Sequence, residues 1–176
     1  NCTFSGNSTP DTGGGMMNVS TSSPTVTNCI LWGNSDAGGM DESAQIHVLG
    51  GTPTVNYSIV QGTWTGAGGT GNSASDPFFL DADGPDNIVG TVDDDLRLQS
   101  GSPAIDAADT TVLPLDTFDL DGDGNTTERI SLDLGGNPRI LDDPTWPDTG
   151  IPGSSVVDMG AYEFFDDCND NGVPDL

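Results

Sequence analysis

The sequence predicts an all-β chain, a short parallel β-solenoid followed by an irregular acidic capping region, on three observations. First, Asn1-Cys2-Thr3-Phe4-Ser5-Gly6-Asn7-Ser8 and Asn28-Cys29-Ile30-Leu31-Trp32-Gly33-Asn34-Ser35 share Asn, Cys, Gly, Asn and Ser at a constant offset of 27. A degraded third copy follows at Asn56-Tyr57-Ser58-Ile59-Val60-Gln61-Gly62, 28 residues further on. Second, Pro24-Thr25-Val26 and Pro53-Thr54-Val55 precede two of the copies, and Gly-rich turns fall between them at Gly13-Gly14-Gly15 and Gly38-Gly39. Third, the runs are short and β-branched with no helical periodicity. Self-similarity at a fixed period of 20 to 50 residues marks a repeat architecture, and about 27 residues suffice for one solenoid coil but not for a four-stranded blade.

Taken in order, the repeats proper occupy residues 1 to about 62, and residues 1–100 are assigned to the coils. Equivalent residues of successive coils stack about 4.8 Å apart. That places Cys2 on Cys29 and Tyr57, Phe4 on Leu31 and Ile59, and Asn7 on Asn34 in an amide ladder. Residues 63–74 (Trp64, Gly66, Gly68, Gly69, Gly71) read as a loop excursion. Strands are expected near Asp76–Leu80 and Leu96–Leu98, with a turn at 81–87 between them. Ser102–Ala108, with Pro103 at its first position, reads as the one helical turn. Residues 101–165 form the capping region, whose last strand, Val156–Phe164, is expected to close the open end of the solenoid, where unpaired backbone would otherwise be exposed. Residues 166–176 read as the start of a calcium-binding-type linker or anchor.

The pattern N-C-x-F-x-x-N, G-G-G-M, S-P-T-V-x-N-C-I-L-W-G-N resembles the right-handed parallel β-helix repeats of large secreted bacterial proteins, related to those of chlamydial polymorphic outer-membrane proteins. Asp76-Pro77-Phe78-Phe79, Asp93-Asp94-Asp95-Leu96-Arg97-Leu98, Ser102-Pro103-Ala104-Ile105-Asp106, Asn137-Pro138-Arg139 and Val157-Asp158-Met159-Gly160-Ala161-Tyr162-Glu163-Phe164 resemble the choice-of-anchor type of C-terminal domain common in planctomycetes. The resemblance implies right-handed coils and a secreted or cell-surface setting. It implies no reaction.

The formal charge is −25, with no Lys and only Arg97, Arg129 and Arg139 as cations. Nucleic acid and anionic membrane both require a positive footprint, so neither is expected as a partner. Four of the 28 acidic residues precede Asp76 and the other 24 follow from there on, so the charge belongs to the second half. Recurrent Trp, Phe, Ile, Leu and Val at strand spacing argue against a disordered acidic chain. Asn1 begins inside a repeat, so preceding coils or a signal peptide are expected to be missing, and no run of 18 apolar residues is present. Cys2 and Cys29 read as stacked small hydrophobes rather than a bridge, and Cys168 has no evident partner.

Three acidic constellations are candidate Ca²⁺ sites. In Asp119-Leu120-Asp121-Gly122-Asp123-Gly124-Asn125, oxygen ligands at positions 1, 3 and 5 with Gly at 6 match the opening of an EF-hand loop, where side chains two apart in a tight turn converge on one point. Position 12 is Ile130, so Glu128 or Asp133 would have to close the shell. Asp167, Asn169 and Asn171 with Asp175 at position 9 repeat the pattern and resemble thrombospondin type 3 and dockerin-like loops. Asp81, Asp83 and Asp86, with Asp93, Asp94 and Asp95, form a third cluster that would repel itself without a cation. Arg97 and Arg139 read as partners of carboxylates such as Asp106, Asp158 or Glu163.

No catalytic set stands out. His47, the only His, lies on an alternating strand pattern, and Lys is absent. The expected function is therefore non-catalytic: a calcium-stabilised structural or adhesive module, able to add to copies of itself head to tail or to meet cell-surface or matrix glycans. The competing class is a carbohydrate-binding or polysaccharide-cleaving protein, for which exposed Trp32, Trp64 or Trp146, or two facing carboxylates in a groove, would speak. Sequons at Asn1, Asn7, Asn18, Asn56 and Asn125 permit glycans.

Overall fold

Apolar and β-branched triplets separated by Gly and Asn turns can form only short strands, and the computed structural model, which describes residues 1–151 and 156–166, has nine of them. They are β1 (Thr3–Ser5), β2 (Met16–Asn18), β3 (Thr25–Thr27), β4 (Ile30–Trp32), β5 (Ile46–Val48), β6 (Thr54–Asn56), β7 (Ile59–Val60), β8 (Phe79–Asp81) and β9 (Asp95–Leu98). The chain is all-β, with helix confined among the described residues to α1 (Glu42–Gln45) and a 3₁₀ turn at Thr110–Val112. The helical turn expected at Ser102–Ala108 is instead an irregular turn in which the Ser102 hydroxyl donates to the Pro77 carbonyl at 2.6 Å. Asp106 takes a left-handed φ of 49° there, which no helix continues through. The helical turn sits at Glu42 because Asp41 caps it, its carboxylate accepting from the Ser43 amide at 2.9 Å. The Ser43 hydroxyl and amide hold the Asp41 carboxyl below its ordinary range.

The first 60 residues pair in parallel. β1, β4 and β7 form one sheet, while β2 pairs with β5 and β3 with β6. Thr3, Ile30 and Ile59 share a register, as do Phe4, Leu31 and Val60. The offset of 27 between the first two copies thus holds. The second offset is 29, not 28, so Leu31 stacks on Val60 rather than on Ile59, and Cys29 meets Ser58 instead of Tyr57, its amide donating to Ser58 Oγ at 3.0 Å. Asn28 and Tyr57 instead share the left-handed turn conformation, φ 56° and 43°.

Alternation along the three-stranded sheet sends its two faces into different cores. Leu31 and Val60 join Val26, Cys29, Ile46 and Val55 on one side, with Phe4, Met16 and Trp64 packed against them. Ile30 and Ile59 point the other way, to Phe79, Leu98, Ile105, Leu113, Val157 and Met159. Each such aliphatic side chain contributes roughly 1.5–3 kcal/mol on burial. The Asn7 carboxamide donates to Asn34 Oδ1 at 2.9 Å, one rung of the expected amide ladder, and Asn34 donates in turn to the Phe4 carbonyl and to Gln45 Oε1, both at 2.8 Å.

Residues 63–74 are more than an excursion. Ser73 bridges Ile59 in parallel, and Asn72 Nδ2 donates to the Val55 carbonyl at 2.7 Å. Gly69 makes this possible: at φ 110°, a Cβ there would stand 1.8 Å from that carbonyl. β8 and β9, by contrast, pair antiparallel, Phe79 opposite Leu98, so residues 76–98 leave the parallel arrangement expected up to residue 100.

The segment Val156–Phe164 is not a strand. It is buried at Val156–Gly160 and at Glu163, with Ala161, Tyr162 and Phe164 partly exposed. Its amides go to scattered acceptors: Met159 to the Ala104 carbonyl at 3.0 Å, Gly160 to the Asn28 carbonyl at 2.9 Å, and Ala161 to Thr3 Oγ1 at 3.1 Å. The second half therefore lies along the Ile30/Ile59 face of the sheet rather than over an end of it. Asn28, fully buried, clasps it by exchanging side-chain bonds with the Asp109 backbone at 2.8 and 2.9 Å. Cys2 and Cys29 are free thiols, as expected, but only Cys29 is buried.

Candidate functional site

The loop 117–127 is closed at its neck by a two-stranded contact. The Asp116 amide donates to the Glu128 carbonyl at 2.8 Å, Ile130 donates to Pro114 at 3.0 Å, and Leu115 bridges Arg129. Within it, Gly122 and Gly124 take left-handed φ values of 75° and 86°, and three carboxylates fold back on their own backbone. Asp119 accepts from the Gly124 amide, Asp121 from Asp123 and Asp123 from Asn125, at 3.0, 3.2 and 2.6 Å. Oxygens of Asp119, Asp121 and Asp123 lie within 4.8 Å of one another, as do those of Asp116, Asp121 and Glu128.

Asp121 belongs to both groups, so the five carboxylates form one continuous acidic bowl. Glu128 is the residue that closes it, while Asp133 is engaged elsewhere, accepting from the Asn137 and Glu163 amides at 2.8 and 3.0 Å. Asn125 Nδ2 donates to Glu128 at 2.8 Å, and its Oδ1 accepts from the Thr127 hydroxyl at 2.8 Å. Asp116 was not among the sequence candidates. It is 1% exposed, and its Oδ1, like Glu128 Oε1, is buried with no hydrogen-bond partner. Desolvation, reinforced by the charges of Asp123 and Asp121, pushes the Glu128 carboxyl above its ordinary range. Such a set of hard oxygen donors around unsatisfied buried oxygens is what a divalent cation requires.

A second convergence was not foreseen at all. Oxygens of Asp106, Asp142 and Asp148 lie within 4.8 Å of one another, Asp106 buried and the other two exposed. Burial, then the charge of Asp142, raises the Asp106 carboxyl to about 7, with the Asp143 amide acting in the opposite direction. The sequence marked Asp106 by its position in S-P-A-I-D and as a candidate arginine partner, whereas Arg97 and Arg139 pair with Asp95 and Glu163 instead. Nothing in the sequence placed residues 142 and 148 beside it.

The remaining candidates are distributed differently. Asp81, Asp83 and Asp86 do not gather three ligand oxygens at one point. Instead Asp86 caps the Ile88 amide at 2.8 Å, Asp93 accepts from the Thr91 hydroxyl at 2.6 Å and Asp94 from the Gly90 amide at 2.7 Å. Desolvation and a shared hydrogen bond with Asp83 push the Asp81 carboxyl up. Asp167, Asn169, Asn171 and Asp175, with Cys168, lie outside the described residues. Of the sequons, Asn18 is 3% exposed and its Nδ2 donates to the Ser22 and Gly50 carbonyls at 3.0 and 2.6 Å, which rules it out as a glycan acceptor. Asn1 and Asn56 are partly exposed, and Asn7 and Asn125 are exposed.

The three arginines are all engaged. Arg97 pairs with Asp95 at 2.5 Å, Arg139 with Glu163 at 3.2 Å, and Arg129 donates to the Leu113 carbonyl. A cleft of about 400 Å³ between Asn1–Thr3 and 130–134 has Arg139 as its only cationic side chain. Trp32, Trp64 and Trp146 are half-buried and pack against the two cores. His47 lies on β5 opposite Met17. Among the described residues no helix is long and apolar enough to cross a membrane. Compared with known proteins, the chain matches no family model, and no curated protein or solved structure is significantly similar to it.

Proposed function

We propose that this chain is a non-catalytic structural or adhesive module of a secreted or cell-surface protein, built as a short parallel β-helix and stabilised by Ca²⁺. The observation that carries the reading is the acidic bowl, in which the buried Asp116 Oδ1 and Glu128 Oε1 lack any donor while Asp121 meets both residues within 4.8 Å. Carboxylate oxygens shielded from water and left without a donor are unfavourable unless a cation meets them. The β-helix part draws support from the parallel pairings at near-constant offsets, Thr3 with Ile30, Ile30 with Ile59 and Val26 with Val55. The secreted or cell-surface setting rests on the resemblance of the repeats and of the second half to such proteins.

Ca²⁺ in this reading fixes the long acidic loops of the second half that lie outside its shared core. Loops that bury little apolar surface are fixed by ion binding, whose free energy becomes folding free energy. Parallel strands at the rim of such a stack carry unpaired backbone groups, so copies could add head to tail. The carbohydrate reading has less support, since all three Trp side chains are committed to packing. Thermal unfolding with Ca²⁺ and with chelator, with sedimentation alongside, tests the proposal. A large rise in melting temperature with Ca²⁺ supports it, and assembly on adding Ca²⁺ would extend it to a fibre subunit. Equal melting temperatures would overturn it and turn attention to glycans.

A further inference from the structure

The loop from Asp142 to Ile151 lies over the turn Ser102–Ala108 and is fixed there by backbone. The Thr149 and Gly150 amides both donate to the Asp106 carbonyl, at 2.9 and 3.1 Å, and the Ile151 amide donates to Ala108 at 3.2 Å. Trp146 Nε1 donates to the Ser102 carbonyl at 3.3 Å. These bonds fold the loop so that the exposed carboxylates of Asp142 and Asp148 come down on the Asp106 side chain. That side chain is 0% exposed, and neither of its oxygens accepts a well-formed hydrogen bond, the nearby Asp143 amide offsetting its burial only in part.

A fully buried carboxylate with no well-formed hydrogen bond, met by two more carboxylates, is unfavourable as a bare anion and is relieved by taking up a proton or by a cation that all three share. The protein has no free side-chain cation to offer, since Arg97, Arg129 and Arg139 are bound to Asp95, Leu113 and Glu163. What the geometry offers instead is three hard oxygen ligands from two chain segments, with room on the exposed side for water. We propose that Asp106, Asp142 and Asp148 form a Ca²⁺ site that fastens the 142–151 loop onto the 102–108 turn. Three anionic ligands suit a divalent ion, and ligands drawn from irregular loops suit the tolerant coordination of Ca²⁺ better than the strict octahedron of Mg²⁺.

This site goes beyond the structural-module reading and shares no residue with the bowl at Asp116–Glu128, so either can fail alone. The test compares wild type with two variants, Asp142→Asn/Asp148→Asn and Asp121→Asn/Glu128→Gln, counting bound Ca²⁺ per chain by equilibrium dialysis and recording melting with and without chelator. Asp142→Asn/Asp148→Asn is expected to lose one Ca²⁺ relative to wild type, and Asp121→Asn/Glu128→Gln to retain it. A crossover is also expected: in chelator the Asp142→Asn/Asp148→Asn protein melts at or above wild type, because repulsion around Asp106 is relieved. In Ca²⁺ it melts below wild type. Asp106→Asn, an isosteric change, is expected to lose the same single ion.

Unchanged stoichiometry in Asp142→Asn/Asp148→Asn would overturn the proposal, as would the absence of the crossover. Loss of Ca²⁺ only in Asp121→Asn/Glu128→Gln would overturn it while leaving the bowl intact. Loss only in Asp142→Asn/Asp148→Asn would establish this site and remove the bowl.

Discussion

Arg139 and Glu163 meet at 3.2 Å with side chains 2% and 0% exposed, so their ion pair is sealed from water. The guanidinium also donates through Nη2 to the Asp158 and Gly160 carbonyls, at 3.2 and 2.8 Å, and so holds the 158–160 segment that meets Thr3 and Asn28. Replacing Arg139 with Ala leaves Glu163 and Asp158 buried without a cation. A loss of about 3–5 kcal/mol is expected for breaking such a pair, read as a lower urea midpoint. A loss under about 1 kcal/mol, the range of exposed pairs, would show that the pair is not sealed.

Two carboxylates face that single guanidinium, and the pH dependence follows. Burial raises Asp158 to about 7, with the charge of Asp106 adding to the rise, and raises Glu163 well above its ordinary range, with the charges of Asp158 and Asp133 adding to it; the Arg139 guanidinium works against both. A folded-state pKa above the unfolded value means that the native protein binds the extra proton more tightly. The stability that Asp158 contributes in this way is full below about pH 4, the unfolded carboxyl range, and is lost as pH rises through about 7. Chelated protein is expected to be less stable toward urea at pH 8 than at pH 5, and Asp158→Asn to flatten the difference. A stability that rises over this interval would refute the assignment.

Calcium at 100 times the dissociation constant of one site adds about 2.7 kcal/mol, or roughly 5–10 °C in a chain of this size. Asp121→Asn/Glu128→Gln is expected to lose that increment from the bowl and little else in chelator, as a calorimetric scan would record.

Leu31, wholly enclosed between Phe4 and Val60, should cost about 2–5 kcal/mol on truncation to Ala. Met17, 47% exposed on β2, should stay within about 0.5 kcal/mol. Denaturant midpoints of the two variants check the assigned face of each strand.

Gly69→Ala would force a left-handed Ala against the Val55 carbonyl. More than about 1 kcal/mol is expected, with faster amide exchange at Val60 and Ser73, whose amides donate to the Ser73 and Ser58 carbonyls at 2.9 and 3.0 Å.

The sequence made the first half legible because identical residues recur at identical places. Asn7 and Asn34, or Val26 and Val55, announce their pairing by type and spacing alone. The one-residue error at the third copy arose because Ile59 and Val60 are both apolar and β-branched. The outward face of the sheet is as buried as the inward one, so no polar residue marked the alternation. The metal candidates at 119–123 were legible because a ligand loop is local in sequence. Asp106, Asp142 and Asp148 were not, because tertiary folding alone brings them together, and Asp116 was missed because burial, which the sequence does not display, is what singles it out. The second half was expected over an end of the stack because its docking contacts, Asn28 with Asp109 and Gly160 with Ile30, join positions with no common pattern.

That sideways attachment has a mechanical meaning. The second half touches Thr3, the Asn28–Ile30 turn and Ile59, which belong to three successive strands of one sheet, through Ala161, Gly160, Asp109 and the shared core. It behaves as a splint. Tension along the stacking direction must stretch the interstrand hydrogen bonds and this lateral brace at the same time, so the two share the load in parallel. Peeling β1 from β4, or β4 from β7, would therefore disturb the brace as well as the strand pairing.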